Sequence, residues 1–154
     1  MPLSKIAGSL AVALKSDILF GYQKEWIEDK SIIKIADKSR RTGLTFAEAS
    51  DDVMCASQPV NAQNTYYLGS DKEMAKEFID ACAFWARKLN MVMTEIEESI
   101  FEDEDEDGNK KSIKSFEIKF PHTGKKILAL SSNPRNLRGR QGNVVIDEAA
   151  FHDR

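Results

Sequence analysis

Residues 32–45 read IIKIADKSRRTGLT, and how this stretch is understood decides the fold. Ile32 to Ala36 is a short β-branched run with the length and composition of a buried strand. A polar turn follows from Asp37 to Leu44. From Thr45 to about Cys55, Phe46, Ala49, Val53 and Met54 recur at helical spacing. The unit is therefore strand, glycine-bearing turn, helix. A phosphate needs backbone N–H donors and a positive field, and a glycine turn that opens a helix N-terminus supplies both. The usual phosphate-binding pattern is G-x-x-x-x-G-K-[ST]. Gly43 and Thr45 match its last glycine and its hydroxyl residue, whereas Leu44 takes the lysine position and Lys38 stands where the first glycine would be. A lysine is thus present at the other mouth of the turn. Its flexible stem can bring the ammonium to a β- or γ-phosphate, because Lys acts as a point charge without a fixed fork.

Outward from this unit, Asp17 to Glu28 reads as a short amphipathic helix with Leu19, Phe20, Trp26 and Ile27 as its apolar positions. Thr65 to Leu68 is a second strand. Ser70 then opens a helix, with Glu73 three residues on completing a capping box, and Met74, Phe78, Cys82, Trp85 and Leu89 form its apolar stripe. Phe116, Ile118 and Phe120 alternate with Glu117 and Lys119, the period of a half-buried strand. Pro121-His122-Thr123-Gly124 is turn chemistry, and Ile127 to Leu130 runs back as the hairpin partner. Val144 to Ile146 is a short apolar strand that ends in Asp147-Glu148. Strands alternating with helices argue for an α/β sheet with an inserted antiparallel hairpin.

With 154 residues and a hydrophobic fraction of 42%, the chain has room for one soluble domain and not for two. No run approaches the roughly 20 apolar residues of a membrane helix. Ile6 to Leu14 is too short, and too interrupted by Gly8 and Ser9, to be a signal peptide, so the expected location is the cytoplasm. Cys55 and Cys82 lack metal-ligand spacing and fall in helical patterns, where a free cysteine behaves as a small buried hydrophobe. The net charge of −3 conceals an asymmetry: residues 95–107 hold nine of the 25 acidic residues and no basic one. The remainder carries 22 basic against 16 acidic residues, a net of +6, which is compatible with a nucleotide or nucleic-acid ligand.

Together these segments resemble the large terminase subunits of tailed phages. Some members of that family place the Walker A lysine at the first position of the loop, as in Lys38-Ser39-Arg40-Arg41-Thr42-Gly43-Leu44-Thr45. Asn143-Val144-Val145-Ile146-Asp147-Glu148-Ala149-Ala150-Phe151 looks like their Walker B, and Tyr22-Gln23 resembles an adenine-recognition Gln motif. Asn133 to Arg140 is similar to the segment that leads into Walker B in Mu-like members. The resemblance spans about residues 17–153. It implies an α/β P-loop NTPase fold of the additional-strand type, mainly parallel, with residues 1–16 as a lead-in and 17–154 as a partial ATPase domain. In that arrangement the strand between the Walker A and Walker B strands comes later in sequence. The reading is therefore of a fragment cut just after Walker B, without the downstream nuclease domain.

The implied ligands are ATP and Mg²⁺. Thr45 and Asp147 would hold the metal, and Glu148 would orient or deprotonate the attacking water. Lys38, Gly43 and Leu44 would line the phosphates, Arg40 or Arg41 would neutralise γ-phosphate charge, and Tyr22 and Gln23 would take the adenine. By the same resemblance, the full protein would drive double-stranded DNA into a capsid. It would act as a homo-oligomeric ring with the small terminase subunit and the portal or procapsid, in the bacterial cytoplasm and without a membrane.

Each element has an ordinary reading as well. Strands ending in Asp-Glu are common, a glycine turn before a helix is commonly a turn, and Tyr22-Gln23 alone is a plain helix face. Their joint order carries the assignment. The rival readings are a superfamily 2 helicase, since Asp147-Glu148-Ala149-Ala150 is similar to a DEAD box, and a non-catalytic prophage remnant or adaptor. Leu44 argues against the helicase, which normally keeps a lysine beside the last glycine. Asp103 to Gly108 copies half of an EF-hand loop, but Lys110 and Lys114 replace its apolar eighth and glutamate twelfth positions, so a solvated connecting loop is expected. His122 and His152 have no partners in sequence that make a metal site.

Overall fold

The computed structural model describes residues 17–39, 41–104, 110–131, 137 and 139–151. In chain order the elements are α1 (Gly21–Glu28), α2 (Leu44–Ser57), β1 (Thr65–Gly69), α3 (Lys72–Lys88), β2 (Glu97–Glu104), β3 (Lys110–Phe120), β4 (Lys125–Ser131), β5 (Asn143–Ile146) and a 3-10 turn (Ala149–Phe151). Among the described residues the strands form one mixed sheet in the order β2-β3-β4-β1-β5. β1 lies parallel to both β4 and β5, while β2, β3 and β4 pair antiparallel. The expectation of an α/β sheet with an inserted antiparallel hairpin is met, but among the described residues the sheet is mixed and not mainly parallel, since two of its four strand pairings are antiparallel.

The alternation on β3 shows why this sheet has an inside. Phe116, Ile118 and Phe120 are buried and face the same way as Ile127 and Ala129 of β4 and Tyr67 of β1. That face receives α2 and α3, whose Ala47, Val53, Met54, Phe78, Ile79, Cys82 and Trp85 complete the main core. Each large side chain so buried contributes roughly 1.5–3 kcal/mol. Trp85 also donates its indole N–H to the Phe46 carbonyl at 2.9 Å, which ties α3 to the first turn of α2. The opposite face carries a smaller cluster of Tyr66, Leu68, Leu128 and Leu130. Gly124, at φ 67°, closes the β3–β4 turn in a conformation that favours glycine.

The helix expected over Asp17 to Glu28 begins at Gly21, and Phe20, expected among its apolar positions, is 68% exposed. Three further expectations need correction. Ile32 to Ala36 is not in the sheet: Ile32, Ile33 and Ile35 are 102%, 77% and 90% exposed, and the segment runs without a ladder partner. A β-branched run becomes a strand only beside another strand, and among the described residues the sheet ends at β5, whose Val144 and Ile146, on the face of Tyr66 and Leu68, are themselves about half exposed, at 51% and 52%. Lys34 instead anchors the segment to α2 through Asp51 at 3.3 Å and Glu48 at 3.7 Å, with its ammonium 4.7 Å from the Trp26 ring centroid. The cap of α3 is Asp71 rather than Ser70. The Asp71 carboxylate accepts the Met74 N–H at 2.9 Å, and the Ser70 hydroxyl sits against the Met74 sulfur.

The third correction concerns the acidic block, half of which is strand β2 and not a connecting loop. Its charges are matched across the ladder, Glu98 to Lys114 at 3.0 Å and Glu97 to Lys119 at 2.9 Å. Of the calcium-loop lookalike, Asp103 and Glu104 lie on β2, and residues 105–109 fall outside the described residues. So do residues 1–16, Arg40, residues 132–136, Arg138 and His152.

Candidate functional site

The parallel strands β4, β1 and β5 place their C-terminal ends along one rim, and the N-terminus of α2 opens onto the same rim through Thr45. In parallel α/β sheets this is where ligands bind. The turn before α2 is shaped for it. Gly43 caps the helix at φ 72° and ψ 15°, a left-handed conformation that costs a side-chain-bearing residue about 1–2 kcal/mol, and Arg41 is also left-handed at φ 62°. Leu44 is the first helical residue.

Asp147 is the centre of the arrangement. Its backbone N–H continues the ladder past β5 by bonding the Leu68 carbonyl at 3.1 Å, and this fixes where the side chain emerges. The carboxylate is buried. Its Oδ2 accepts the Thr45 hydroxyl at 2.6 Å and the Tyr67 hydroxyl at 3.1 Å. Its Oδ1 accepts the Glu148 N–H at 2.9 Å and pairs with the Lys38 ammonium at 3.0 Å. Burial alone would push this carboxyl up; the bonds from Thr45 and Lys38, the Lys38 charge and the Tyr67 hydroxyl outweigh burial and hold it below its ordinary value. Burial and the adjacent Asp147 push the Tyr67 hydroxyl well up, so it stays protonated and donates. Glu148 turns away from the strand at φ 50° and is half-buried.

Lys38 therefore meets Thr45 at one carboxylate although seven positions separate them in sequence. A cleft of about 270 Å³ lies beside this cluster, lined by Tyr22, Ala36, Asp37, Lys38, Ser39, Thr42 and Leu44. Tyr22 is half-exposed at its edge. Its hydroxyl bonds the Thr42 carbonyl, and its ring lies 6.0 Å from that of Phe20, nearly parallel. Gln23 is buried, with its amide engaged at both ends: Nε2 donates to the Gly43 carbonyl at 2.7 Å and Oε1 accepts the Phe20 N–H at 2.8 Å. Arg41 is exposed beside the turn.

The structure thus brings Lys38 and Thr45 to the Asp147 carboxylate, which Glu148 meets through its backbone N–H, and sets Tyr22 and Gln23 against the turn. Sequence reasoning missed Tyr67. The available signal was a tyrosine inside an expected strand, because a tyrosine that is buried there must find a partner for its hydroxyl. The donor set fits a nucleotide with a divalent cation, in that a carboxylate, a hydroxyl and an ammonium converge at a helix N-terminus. Among the described residues no cluster of three or more His, Cys, Asp or Glu side chains forms a protein-only metal cage. No described helix is long and apolar enough to cross a membrane.

Fold and site together define an α/β protein with a polar constellation at the C-terminal rim of its parallel strands. Among known proteins the chain is similar to the Mu-like prophage FluMu protein gp28 of Haemophilus influenzae, 56% identical over 139 residues, which is 89% of this chain and 26% of that protein. It is also similar to the probable terminase large subunit gp28 of Escherichia phage Mu, 48% identical over 164 residues, covering 98% of this chain and 29% of that protein. The chain belongs to the phage terminase large-subunit family, in its Mu-like branch. It spans less than a third of the length of these relatives. No family profile and no solved structure matches it.

Proposed function

We propose that this chain forms the ATP-binding and ATP-hydrolysing part of a terminase large subunit, the motor that drives viral double-stranded DNA into a capsid. The observation that carries the reading is the meeting of Lys38 and Thr45 at Asp147. A lysine displaced to the far mouth of the turn reaches the rim where a phosphate-binding lysine must act. Bound Mg²⁺ would neutralise charge on the β- and γ-phosphates, with Thr45 and Asp147 holding it, directly or through water.

The remaining roles belong to the chain itself. Lys38 leaves Asp147 to meet the phosphates, the N–H groups at the start of α2 cradle them, and Arg41 or Arg40 balances the γ-phosphate. Glu148, next to Asp147 and turned away from the strand, orients or deprotonates water. Tyr22 offers its exposed ring to the adenine. Gln23, bonded to the Gly43 carbonyl, ties that base site to the phosphate turn, and its amide still has one N–H to offer the base.

The finer fold assignment belongs to the same proposal. A P-loop fold of the additional-strand type would set one more strand against the outer edge of β5, with Ile32 to Ala36 beyond it. The exposed Ile32, Ile33, Ile35, Val144 and Ile146 support this. The small terminase subunit, the portal and a homo-oligomeric ring are the partners such a motor would need. The test is Lys38→Ala in the full-length protein. It should abolish Mg²⁺-dependent ATP turnover while leaving thermal unfolding unchanged, and near-normal turnover would refute the assignment.

A further inference from the structure

Tyr67 belongs to none of the motifs above, yet it touches their central carboxylate. It lies mid-strand in β1, between Ala129 of β4 and Val145 of β5, and is 0% exposed. Its ring is stacked on Phe78, with centroids 3.9 Å apart and planes 8° from parallel. A ring clamped between two strands and a helix has no freedom to swing, so the hydroxyl is a fixed donor. That donor meets Asp147 Oδ2 at 3.1 Å, the oxygen that also takes the Thr45 hydroxyl at 2.6 Å.

The two carboxylate oxygens are therefore unlike. Oδ2 is held by two neutral hydroxyls, one of them immobile. Oδ1 is held by the Glu148 backbone N–H and by the Lys38 ammonium, which sits at the end of a long flexible stem. Among the donors to Oδ1, the Glu148 N–H is backbone while the Lys38 ammonium can withdraw along its stem; on Oδ2 the Tyr67 ring is fixed in the core and the Thr45 hydroxyl lies on the first turn of α2. Phe would pack against Phe78 equally well. What the hydroxyl adds is the bond to Asp147.

We infer that Tyr67 is a positioning residue that pins Asp147 Oδ2, so that Oδ1 is the oxygen given up by Lys38 and presented to a divalent cation when nucleotide binds. This rests on the nucleotide-site reading and adds to it which oxygen serves the cation and what orients it. Outer-shell partners of this kind typically change metal affinity about 10–100-fold when removed.

The experiment uses Tyr67→Phe in the full-length protein, with Asp147→Asn as the reference. A fluorescent ATP analogue is titrated with Mg²⁺ present and with EDTA. Mn²⁺ binding in the presence of nucleotide is followed by electron paramagnetic resonance, which needs no turnover. The expected result for Tyr67→Phe is unchanged nucleotide affinity in EDTA, with about 10-fold or more additional Mg²⁺ or Mn²⁺ needed for half-saturation. The maximal turnover rate at saturating Mg²⁺ should stay within about threefold of wild type, because cation affinity is what the lost bond controls. Unchanged cation dependence overturns the inference. So does a loss of affinity equally large in EDTA, or a loss of folding, since either would make the hydroxyl structural. If Asp147→Asn itself leaves the cation dependence intact, the nucleotide-site reading fails and the inference falls with it. A change in Asp147→Asn without one in Tyr67→Phe removes Tyr67 alone.

Discussion

Replacing Gly43 by alanine tests whether the turn before α2 and the Gln23 amide form one unit. At φ 72° an added Cβ meets the left-handed penalty of about 1–2 kcal/mol. The same Cβ would stand 2.7 Å from Gln23 Nε2, closer than such atoms approach. The amide has little room to retreat, because Gln23 is buried and bonded to Phe20 N–H at 2.8 Å and to the Gly43 carbonyl at 2.7 Å. Displacing it puts two hydrogen bonds at risk, each worth about 0.5–1.5 kcal/mol. The expected destabilisation by Gly43→Ala is therefore about 2–4 kcal/mol. Equilibrium denaturation of Gly43→Ala, Gln23→Ala and the double variant measures it. Truncating Gln23 removes both the clash and the bonds, so the two effects should be less than additive by about 1 kcal/mol or more. A Gly43→Ala change below about 0.5 kcal/mol, or strict additivity, would refute the coupling.

Two further outcomes follow from buried and exposed groups elsewhere. Burial, with Glu48 close by, pushes the Asp52 carboxyl well up; its Oδ1 accepts the Thr65 hydroxyl at 2.9 Å and its Oδ2 has no hydrogen-bond partner among the described residues. Because the folded state holds this proton more tightly than the unfolded state, stability is lost as pH rises from the ordinary carboxylate range toward the raised value. Asp52→Asn, which cannot ionise, should flatten that loss, and a pH series of unfolding curves with unchanged slope would contradict the account. On the additional-strand proposal, the outer edge of β5 and the segment Ile32 to Ile35 should be covered in a chain as long as the relatives. Hydrogen exchange should be slow at their amides there and fast in the 154-residue chain. Equal exchange in both would remove the additional strand from the fold proposal.

Local chemistry made much of this structure legible. The 3.6-residue stripe of Met74, Phe78, Cys82, Trp85 and Leu89 and the two-residue alternation of Phe116, Ile118 and Phe120 each name a buried face, and all but the half-buried Met74 are buried. Ile32 to Ala36 misled because strand propensity says nothing about whether a partner stands beside it. Strand β2 was hidden because its stabilisation lies across the ladder, in Lys114 and Lys119, and a run of acids read alone looks like solvated loop. At the site, the proximity of Lys38, Thr45 and Asp147 could be expected only through family resemblance. Thr45 and Asp147 are 102 positions apart, and no periodicity reaches that far. Tyr67 was out of reach because register, not composition, aims its hydroxyl at Asp147. The 3.1 Å bond depends on β1 and β5 pairing with Tyr67 opposite Val145.

The central claim is that this rim hydrolyses ATP, and Glu148→Gln in the full-length protein tests it most directly. Gln keeps the size and the left-handed backbone of Glu148 while removing the carboxylate that would activate water. ATP binding with Mg²⁺, measured by calorimetry, should persist. Single-turnover hydrolysis should fall by at least about 100-fold, the scale of lost general-base help. Hydrolysis at the wild-type rate, or the loss of nucleotide binding together with turnover, would contradict the account.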